Sequence, residues 1–327
     1  MRLIKFPLLA SLLFVNNFCF AQKQNVYFLK NNGRYIDLRD SADYIRVVRE
    51  PDSASALYNV FEYYTSGKLK FMGKSIAIDP PVLEGQGLSY YPCGVKKLLA
   101  TYERNRLTGT SVEYYPNGKM FVIKEYKKEN PGDKTTDHTK PDYLITASAD
   151  STGKATVTDG TGYYIGYNGD FKSVYEEGAV KNGENEGDWT GFDNRLKAHF
   201  TEHYENSKLI SGVSTDSAGV THQYQSRTVE PSFKGGIENF YKYLMRTMHY
   251  PDNAKEKGIQ GKVFISFVIK KDGQLKDIKV LRPVSPELDE EALRVIRLSP
   301  DWIPGMVLGM VANVQYTIPL NFAISES

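Results

Sequence analysis

The last strand of the chain is marked by a strict alternation of polar and apolar side chains. Residues 313–322 alternate from the polar Asn313 to the apolar Phe322. Such alternation predicts a strand with one packed face and one solvated face. Pro319 has no amide hydrogen to give a neighbouring strand, so we expect this strand at the edge of a sheet. An exposed edge is either covered by another part of the molecule or used to dock a second chain.

The residues before it switch between helical and strand patterns. A helix is predicted over residues 237–248, where the apolar stripe consists of Phe240, Leu244 and Met248 with Ile237 and Tyr241 alongside. A buried strand is predicted at 263–269, and a turn at 271–273 leads into a second strand at 275–282. A second helix is expected to begin after Ser285 and to end at Pro300. The order helix, strand, strand, helix, strand predicts an α+β region.

The first two thirds of the chain carry a different pattern, in which a pair of aromatics precedes a glycine turn. Within residues 58–224 the pattern recurs at Gly67, Gly94 and Gly118, which are separated by 27 and 24 residues, and again before Gly169. A period of about 25 residues predicts one β-hairpin per repeat, with aromatics stacked between successive hairpins. These segments resemble the MORN-like repeats of the YwqK-type antitoxin family. We therefore expect an all-β region of hairpin repeats over residues 22–228.

A short string inside this region has the spacing of a zinc-hydrolase motif. His199, Glu202 and His203 spell H-x-x-E-H, which binds a metal only when a helix brings the two histidines onto one face. The repeat pattern instead predicts a strand, on which the histidines are about 13 Å apart and the glutamate points to the other side. We therefore predict no metal site here. Catalytic and nucleotide-binding motifs are not found elsewhere, so the chain is predicted not to be an enzyme and to need no cofactor.

The first 21 residues have the pattern of a Sec signal peptide. Arg2 and Lys5 precede an apolar run, and Ala21 stands at the expected cleavage site. The apolar run is short for a membrane span, so cleavage and a periplasmic location are favoured over a retained anchor. Cys93 would then be the remaining cysteine, which excludes an internal disulfide. With 41 Lys and Arg against 39 Asp and Glu, and no basic block, a nucleic-acid partner is not expected.

The C-terminal residues resemble the TonB C-terminal domain family, in the form common among Bacteroidetes proteins. The likeness spans residues 229–324 and is carried by ordered motifs: EPSFKGG at 230–236, YPDNA at 250–254, GIQGKV at 258–263, DG at 272–273, LDEEA at 288–292, WIPG at 302–305 and YTIPLNF at 316–322. The resemblance implies a three-stranded antiparallel sheet with two helices against it. We therefore expect three parts: a signal peptide at 1–21, repeats at 22–228 and this domain at 229–327.

The resemblance also implies a function. The family's domain binds an extended segment of an outer-membrane transporter, the TonB box, as an added strand. If this resemblance is applied to the present chain, it implies the following partner-binding residues: Ala312, Asn313, Val314, Gln315, Tyr316, Thr317 and Ile318. Substitution of Val314 by proline is expected to remove an amide from the middle of this edge and so abolish docking.

Two other interpretations stay open at the level of sequence. An energy transducer anchored by its first 21 residues would contact inner-membrane motor proteins, but those residues contain no histidine and no proline-rich spacer follows them. A structural or antitoxin-like repeat protein would use the terminal domain for oligomerisation, for example as a homodimer. The expected partner is otherwise an outer-membrane TonB-dependent receptor or another extended peptide.

Overall fold

The computed structural model describes residues 23–52, 55–128 and 142–324. The chain divides into two compact units. The first unit contains the residues up to 128 together with 151–153, and the second contains the others. The segment predicted to be a signal peptide lies outside the described residues. No helix of the described ranges is long and apolar enough to cross a membrane.

The first unit is an antiparallel meander. Each strand from β3 to β9 pairs with the next along the chain, and β1 pairs with both β2 and β3. Its strands are β1 Gln24–Leu29, β2 Tyr35–Ile36, β3 Tyr44–Arg49, β4 Tyr58–Tyr64, β5 Leu69–Ser75, β6 Gly85–Tyr90, β7 Lys96–Glu103, β8 Arg106–Tyr114 and β9 Met120–Tyr126. A short 3-10 helix, Arg39–Ser41, precedes β3.

The repeats of this unit form hairpins with the same turn. In the first, the Tyr64 amide donates to the Lys68 carbonyl at 2.9 Å and the Gly67 amide donates to the Tyr64 carbonyl at 2.8 Å. Gly67 has a φ of 83°, which favours glycine because it has no Cβ. Equivalent turns occur at Gly94 and Gly118. The prediction of one hairpin per repeat is confirmed for these three repeats.

The second unit begins with another antiparallel meander, in which each strand pairs with the next. Its strands are β10 Tyr143–Ala149, β11 Ala155–Thr158, β12 Thr161–Tyr167, β13 Val174–Lys181, β14 Glu184–Asp193, β15 Ala198–Glu205, β16 Lys208–Thr215 and β17 Thr221–Tyr224. Trp189 is fully buried, and its ring centre lies 6.1 Å from that of Tyr164 and 6.2 Å from that of Tyr204. Contacts between aromatic rings, one tilted and one edge to face, thus hold neighbouring strands of this meander together.

The H-x-x-E-H string lies on β15, as predicted, and not on a helix. His199 is exposed, whereas Glu202 on the opposite face is 1% exposed. The prediction of a strand is therefore confirmed. Glu202 was not expected to be buried, and its partners are described below.

The rest of the second unit contains three helices and two small sheets. Its elements are β18 Thr228–Val229, α1 Gly236–Thr247, α2 Asp252–Glu256, β19 Gly261–Ile269, β20 Leu275–Arg282, α3 Pro286–Arg297, β21 Gly305–Val307, β22 Met310–Ala312 and β23 Val314–Phe322. The sheet β20-β19-β23 packs against the helices, while β18-β21-β22 forms a separate ladder. The predicted three-stranded antiparallel sheet is confirmed. The short helix α2 and the second ladder were not predicted.

Both long helices form where the sequence places them. The hydroxyl of Ser285 caps α3 by accepting a hydrogen bond from the Leu288 amide. Phe240 and Leu244 of α1 are buried as expected. Ile237 and Tyr241, expected beside that stripe, are instead 62% and 57% exposed because they lie on the side of α1 away from the sheet.

Candidate functional site

The candidate site is the free edge of strand β23, and its geometry begins with the core behind it. The side chains of Val263, Ile265, Phe267 and Ile269 on β19 are fully buried against the helices. Trp302 fills the space beside them, with its ring centre 5.5 Å from that of Phe267 and 5.6 Å from that of Tyr316. Strand β23 is therefore held in place by the packing of its own apolar face.

Strand β23 pairs with β19 along its whole length. The register runs without a shift from Gly261 opposite Phe322 to Ile269 opposite Val314. On its other side, no strand among the described residues pairs with β23 in this sheet. The edge position predicted from Pro319 is therefore confirmed.

The unbroken register fixes which backbone groups of β23 point outward. In an antiparallel pair, successive residues direct their amide and carbonyl groups alternately toward and away from the partner strand. Pro319 lies opposite Phe264, and a proline is accommodated where no amide is needed. By this alternation Gln315 and Thr317 direct both backbone groups to the open edge, whereas Val314 directs its groups toward β19.

The side chains of β23 alternate in burial as the sequence predicts. Ile318 is 8% exposed, and the neighbouring Gln315 and Thr317 are exposed. The Gln315 amide nitrogen donates to the buried Ser266 hydroxyl at 3.1 Å. This bond fixes one polar side chain of the edge on the solvated face of the sheet.

The first two predicted site residues lie outside the edge strand. Ala312 belongs to β22 and pairs with Gly305 of β21, so it cannot form part of the same free edge. Asn313 lies between the strands, and its side-chain oxygen accepts a hydrogen bond from the Lys271 amide at 3.0 Å. The remaining residues from Val314 to Ile318 all lie on β23. Sequence alternation alone did not show that the strand begins at Val314.

The solvated face of this sheet is positively charged. The register places Lys262, Lys279 and Arg282 on that face, and all three are exposed. Lys276 lies on the same face, but its ammonium is paired with Asp277 at 3.7 Å. The Arg282 guanidinium lies 5.1 Å from the ring centre of Phe264. In the turn between β19 and β20, the Lys270 ammonium lowers the pKa of Asp272 through a hydrogen bond of 2.8 Å. The surroundings of the edge therefore favour an acidic partner.

Leu308 anchors the β21–β22 hairpin, which leads into β23, to the meander. The Leu308 amide donates to the Arg227 carbonyl at 2.8 Å, and the Leu308 carbonyl accepts from the buried Ser214 hydroxyl at 2.7 Å. The Arg227 side chain in turn binds Glu202 and Glu176. This anchor is absent from the sequence-based prediction because it joins segments that are far apart in the chain.

The site contains no evident means of binding a metal ion. Across the ranges that the structure describes, no three His, Cys, Asp or Glu side chains come together as a set of ligands.

Comparison with known proteins finds a similarity to a family model in this part of the chain. Residues 246–324 match the model of the Gram-negative bacterial TonB protein C-terminal family. The matched segment contains α2, α3 and the whole sheet β20-β19-β23, but none of the repeats.

Two solved structures and the curated proteins complete the comparison. Solution structures of the Helicobacter pylori TonB C-terminal domain in a shorter and a longer form are each 27% identical to the chain. Each covers 28% of this chain, with 96% and 82% of the respective structure covered, and both have a TM-score of 0.23. No curated protein matches the chain.

Proposed function

We propose that this chain is a periplasmic protein that docks an extended peptide onto β23 by strand addition, in support of TonB-dependent transport. The peptide is the TonB box of an outer-membrane receptor. The observation that carries the proposal is that β23 pairs on one side with β19, while its other side carries unpaired backbone groups within the described sheet. The family match over residues 246–324 supports it.

The energetics of this edge suit a reversible contact. The outward groups of Gln315 and Thr317, with the Pro319 carbonyl, would bond an added strand. Each such bond contributes about 0.5–1.5 kcal/mol net, and the ordering of a flexible peptide offsets part of that gain. The result is a modest affinity, which permits repeated cycles of binding and release.

The charge of the neighbouring sheet face adds a preference within that proposal. Lys262, Lys279 and Arg282 are exposed on the solvated face, so acidic side chains on the docked peptide gain from the positive field. This attraction acts mainly on the association rate and weakens with salt. Peptides with acidic residues are therefore expected to bind best at low ionic strength.

A pair of substitutions at Thr317 tests the proposal. Thr317→Pro removes an outward amide and places a ring where an added strand would lie, whereas Thr317→Val keeps the amide. We expect at least a tenfold loss of affinity for Thr317→Pro and little change for Thr317→Val. Val314→Pro is the less suitable choice, because the Val314 amide faces β19 and its loss would damage the sheet itself.

The measurement is titration calorimetry with synthetic peptides from the N-terminal segments of the host's outer-membrane receptors. With 5-fluorotryptophan in each variant, the Trp302 resonance reports whether the core behind β23 is intact. Equal affinity of Thr317→Pro and Thr317→Val for a peptide that binds the unchanged protein would contradict docking at this edge.

A second copy of the chain is the competing occupant of the edge, since an open strand also pairs with itself. Sedimentation of the full chain distinguishes the two. A dimer that dissociates on Thr317→Pro, together with no peptide binding, would replace the proposed receptor contact by homodimerisation.

The proposed location has its own test. Mass spectrometry of protein extracted from cells is expected to show a mature N-terminus at Gln22. A retained Met1 would instead favour the anchored transducer that contacts inner-membrane motor proteins.

A further inference from the structure

A pocket of about 400 Å³ lies on one face of the first unit. Its lining comes from β3 to β7 and the adjoining loops, and it includes Arg46, Glu62, Lys70, Phe71, Lys97 and Tyr102. This volume is in the range of pockets that hold small molecules. The proposed docking of a peptide on β23 makes no use of it.

A buried carboxylate organises the cations of this pocket. Glu62 is 9% exposed, and the register of β3 and β4 places Arg46 directly opposite it. One oxygen of Glu62 accepts from Arg46 Nε at 3.0 Å and from Nη2 at 2.8 Å, and the other accepts from Lys70 Nζ at 2.7 Å. A buried carboxylate requires such compensation. Two cations on one acid leave one positive charge in excess.

The cations that line the pocket keep donors that Glu62 does not use, although the Lys70 ammonium also lies 3.9 Å from the ring centre of Tyr44. Lys97 is exposed and forms no ion pair among the described residues, and its ammonium lies 5.7 Å from the ring centre of Tyr91. Among the described residues, Arg46 Nη1 has no hydrogen-bond acceptor. The Lys70 ammonium donates one of its three hydrogens to the Glu62 carboxylate. The charged lining residues are three cations and one carboxylate. The pocket therefore attracts an anion.

Phe71 and Tyr102 form the aromatic floor of the pocket. The rings of Phe71 and Tyr102 meet edge to face with centres 6.3 Å apart. A Cβ on Gly87 would lie 2.8 Å from Tyr102 and 2.9 Å from Phe71, so the absence of a side chain lets both rings lie on the strand. A fixed aromatic surface of this kind packs against the apolar face of a ring. Ser89 and Asn105 add polar groups at the wall.

We propose that this pocket binds a sugar-sized ring that carries one anionic group, a carboxylate or a phosphate. The anionic group lies among Arg46, Lys70 and Lys97, and the ring lies on Phe71 and Tyr102. The site is independent of the strand edge at β23, because every residue that lines it belongs to the first unit.

Ligand-observed saturation-transfer NMR on the full chain tests this proposal. The probes are glucuronic acid, glucose 6-phosphate, glucose, acetate and inorganic phosphate. We expect binding of glucuronic acid, of glucose 6-phosphate or of both, with glucose and acetate at least tenfold weaker. Whichever acid binds identifies the carboxylate or the phosphate as the recognised group.

Two matched variants locate the binding. Lys97→Met removes a cation at the rim without breaking an ion pair. It is expected to lower the affinity of the pocket for the acid at least fivefold. Lys96→Met changes its exposed neighbour on β7, which does not line the pocket, and is expected to have no effect.

Four results would overturn the proposal. The first is the absence of binding by both ring acids, and the second is equal binding of glucose. The third is binding that Lys97→Met and Lys96→Met leave equally unchanged. Binding of acetate or inorganic phosphate as tightly as the ring acids would also overturn it, because the aromatic floor would then contribute nothing.

Discussion

The guanidinium of Arg227 binds the carboxylate of Glu202, with Nε 2.9 and 2.8 Å from the two carboxylate oxygens. The Glu202 side chain is fully buried, and the hydroxyls of Tyr204 and Tyr224 also donate to it at 3.0 and 2.8 Å. Burial, followed by the nearby Glu202 charge, raises the pKa of both tyrosines, so they stay protonated as donors. Arg227 thereby attaches the segment before β18 to the second meander.

Substitution of Arg227 by methionine is the sharpest test of this attachment. It would leave a buried carboxylate with two neutral donors, and losing one partner of a buried pair costs about 3–5 kcal/mol. We expect a large fall in the urea midpoint, with partial recovery when Glu202→Gln is added, because the neutral amide then needs no counter-charge.

Because the chain has two tryptophans, the unfolding of the meander and that of the terminal core can be followed separately. With 5-fluorotryptophan in the protein, the Trp189 resonance reports on the meander and the Trp302 resonance on the terminal core. If Arg227→Met leaves the free energy of unfolding reported by Trp189 within about 0.5 kcal/mol of the value for the unchanged protein, the ion pair does not stabilise the meander.

The hairpin repeats are joined by a second type of contact. The Tyr64 hydroxyl donates to the Tyr90 carbonyl at 2.7 Å, and the Tyr91 hydroxyl donates to the Tyr114 carbonyl at 2.7 Å. The hydroxyl of the second tyrosine in each Tyr-Tyr pair thus donates to the backbone carbonyl of the first tyrosine in the next pair. Tyr91→Phe is expected to destabilise the first unit by about 1 kcal/mol, the net value of one such bond.

Tyr63→Phe is the matched control, since no hydrogen bond of its hydroxyl is found in the described residues. Urea unfolding followed by tyrosine fluorescence should separate the two. Equal midpoints for Tyr91→Phe and Tyr63→Phe would show that the carbonyl contact adds nothing.

The close packing of Trp189 predicts a strong effect at Gly178. A Cβ at this position would lie 2.3–2.5 Å from three atoms of the Trp189 ring, closer than any van der Waals contact. Because the ring is fully buried, it cannot move aside without displacing its neighbours. Gly178→Ala is therefore expected to cost more than about 2 kcal/mol and to shift the Trp189 fluorine resonance.

Gly169 offers the comparison, because a Cβ there would meet no atom within 4 Å. Gly169→Ala should leave both the resonance and the urea midpoint nearly unchanged. A folded Gly178→Ala protein with an unshifted Trp189 resonance would contradict the packing described for this strand pair.

The sequence predicted those features that depend on local periodicity. The alternation of residues 313–322 determined the face of β23, and Pro319 determined its edge position, because both properties follow from the backbone of one strand. The Ser285 cap of α3 is equally local. Hairpin turns at glycine follow from positive φ at each position, so they too could be predicted.

Features that depend on pairing between distant segments were missed. The alternation of β15 did place Glu202 on the same face as Phe200 and Tyr204, which was a signal that the carboxylate is buried. Its partner Arg227 lies after β17 and beyond the recurring pattern of residues 58–224, so spacing could not identify it. The same holds for Arg46 opposite Glu62, since that contact requires the register of β3 against β4.

The terminal core should also lose a defined contribution at acid pH. Burial opposes ionisation of Glu291, but hydrogen bonds from Arg294 at 2.7 Å and from the His249 amide at 2.6 Å outweigh it and lower the pKa of Glu291 from 4.5. A lowered folded-state pKa stabilises the fold above the unfolded pKa, and this stabilisation is lost as the pH falls through the folded value.

Urea unfolding of the unchanged protein and of Glu291→Gln, followed by the Trp302 fluorine resonance, should show this pH-dependent stabilisation. The unchanged protein is expected to be more stable by about 1 kcal/mol at pH 7, and the difference should shrink as the pH falls below 4.5. Glu290→Gln, on the neighbouring position of α3, controls for the loss of one charge. A difference that stays constant from pH 7 to pH 3 would mean that the bonds to Arg294 and His249 do not depend on the ionised carboxylate.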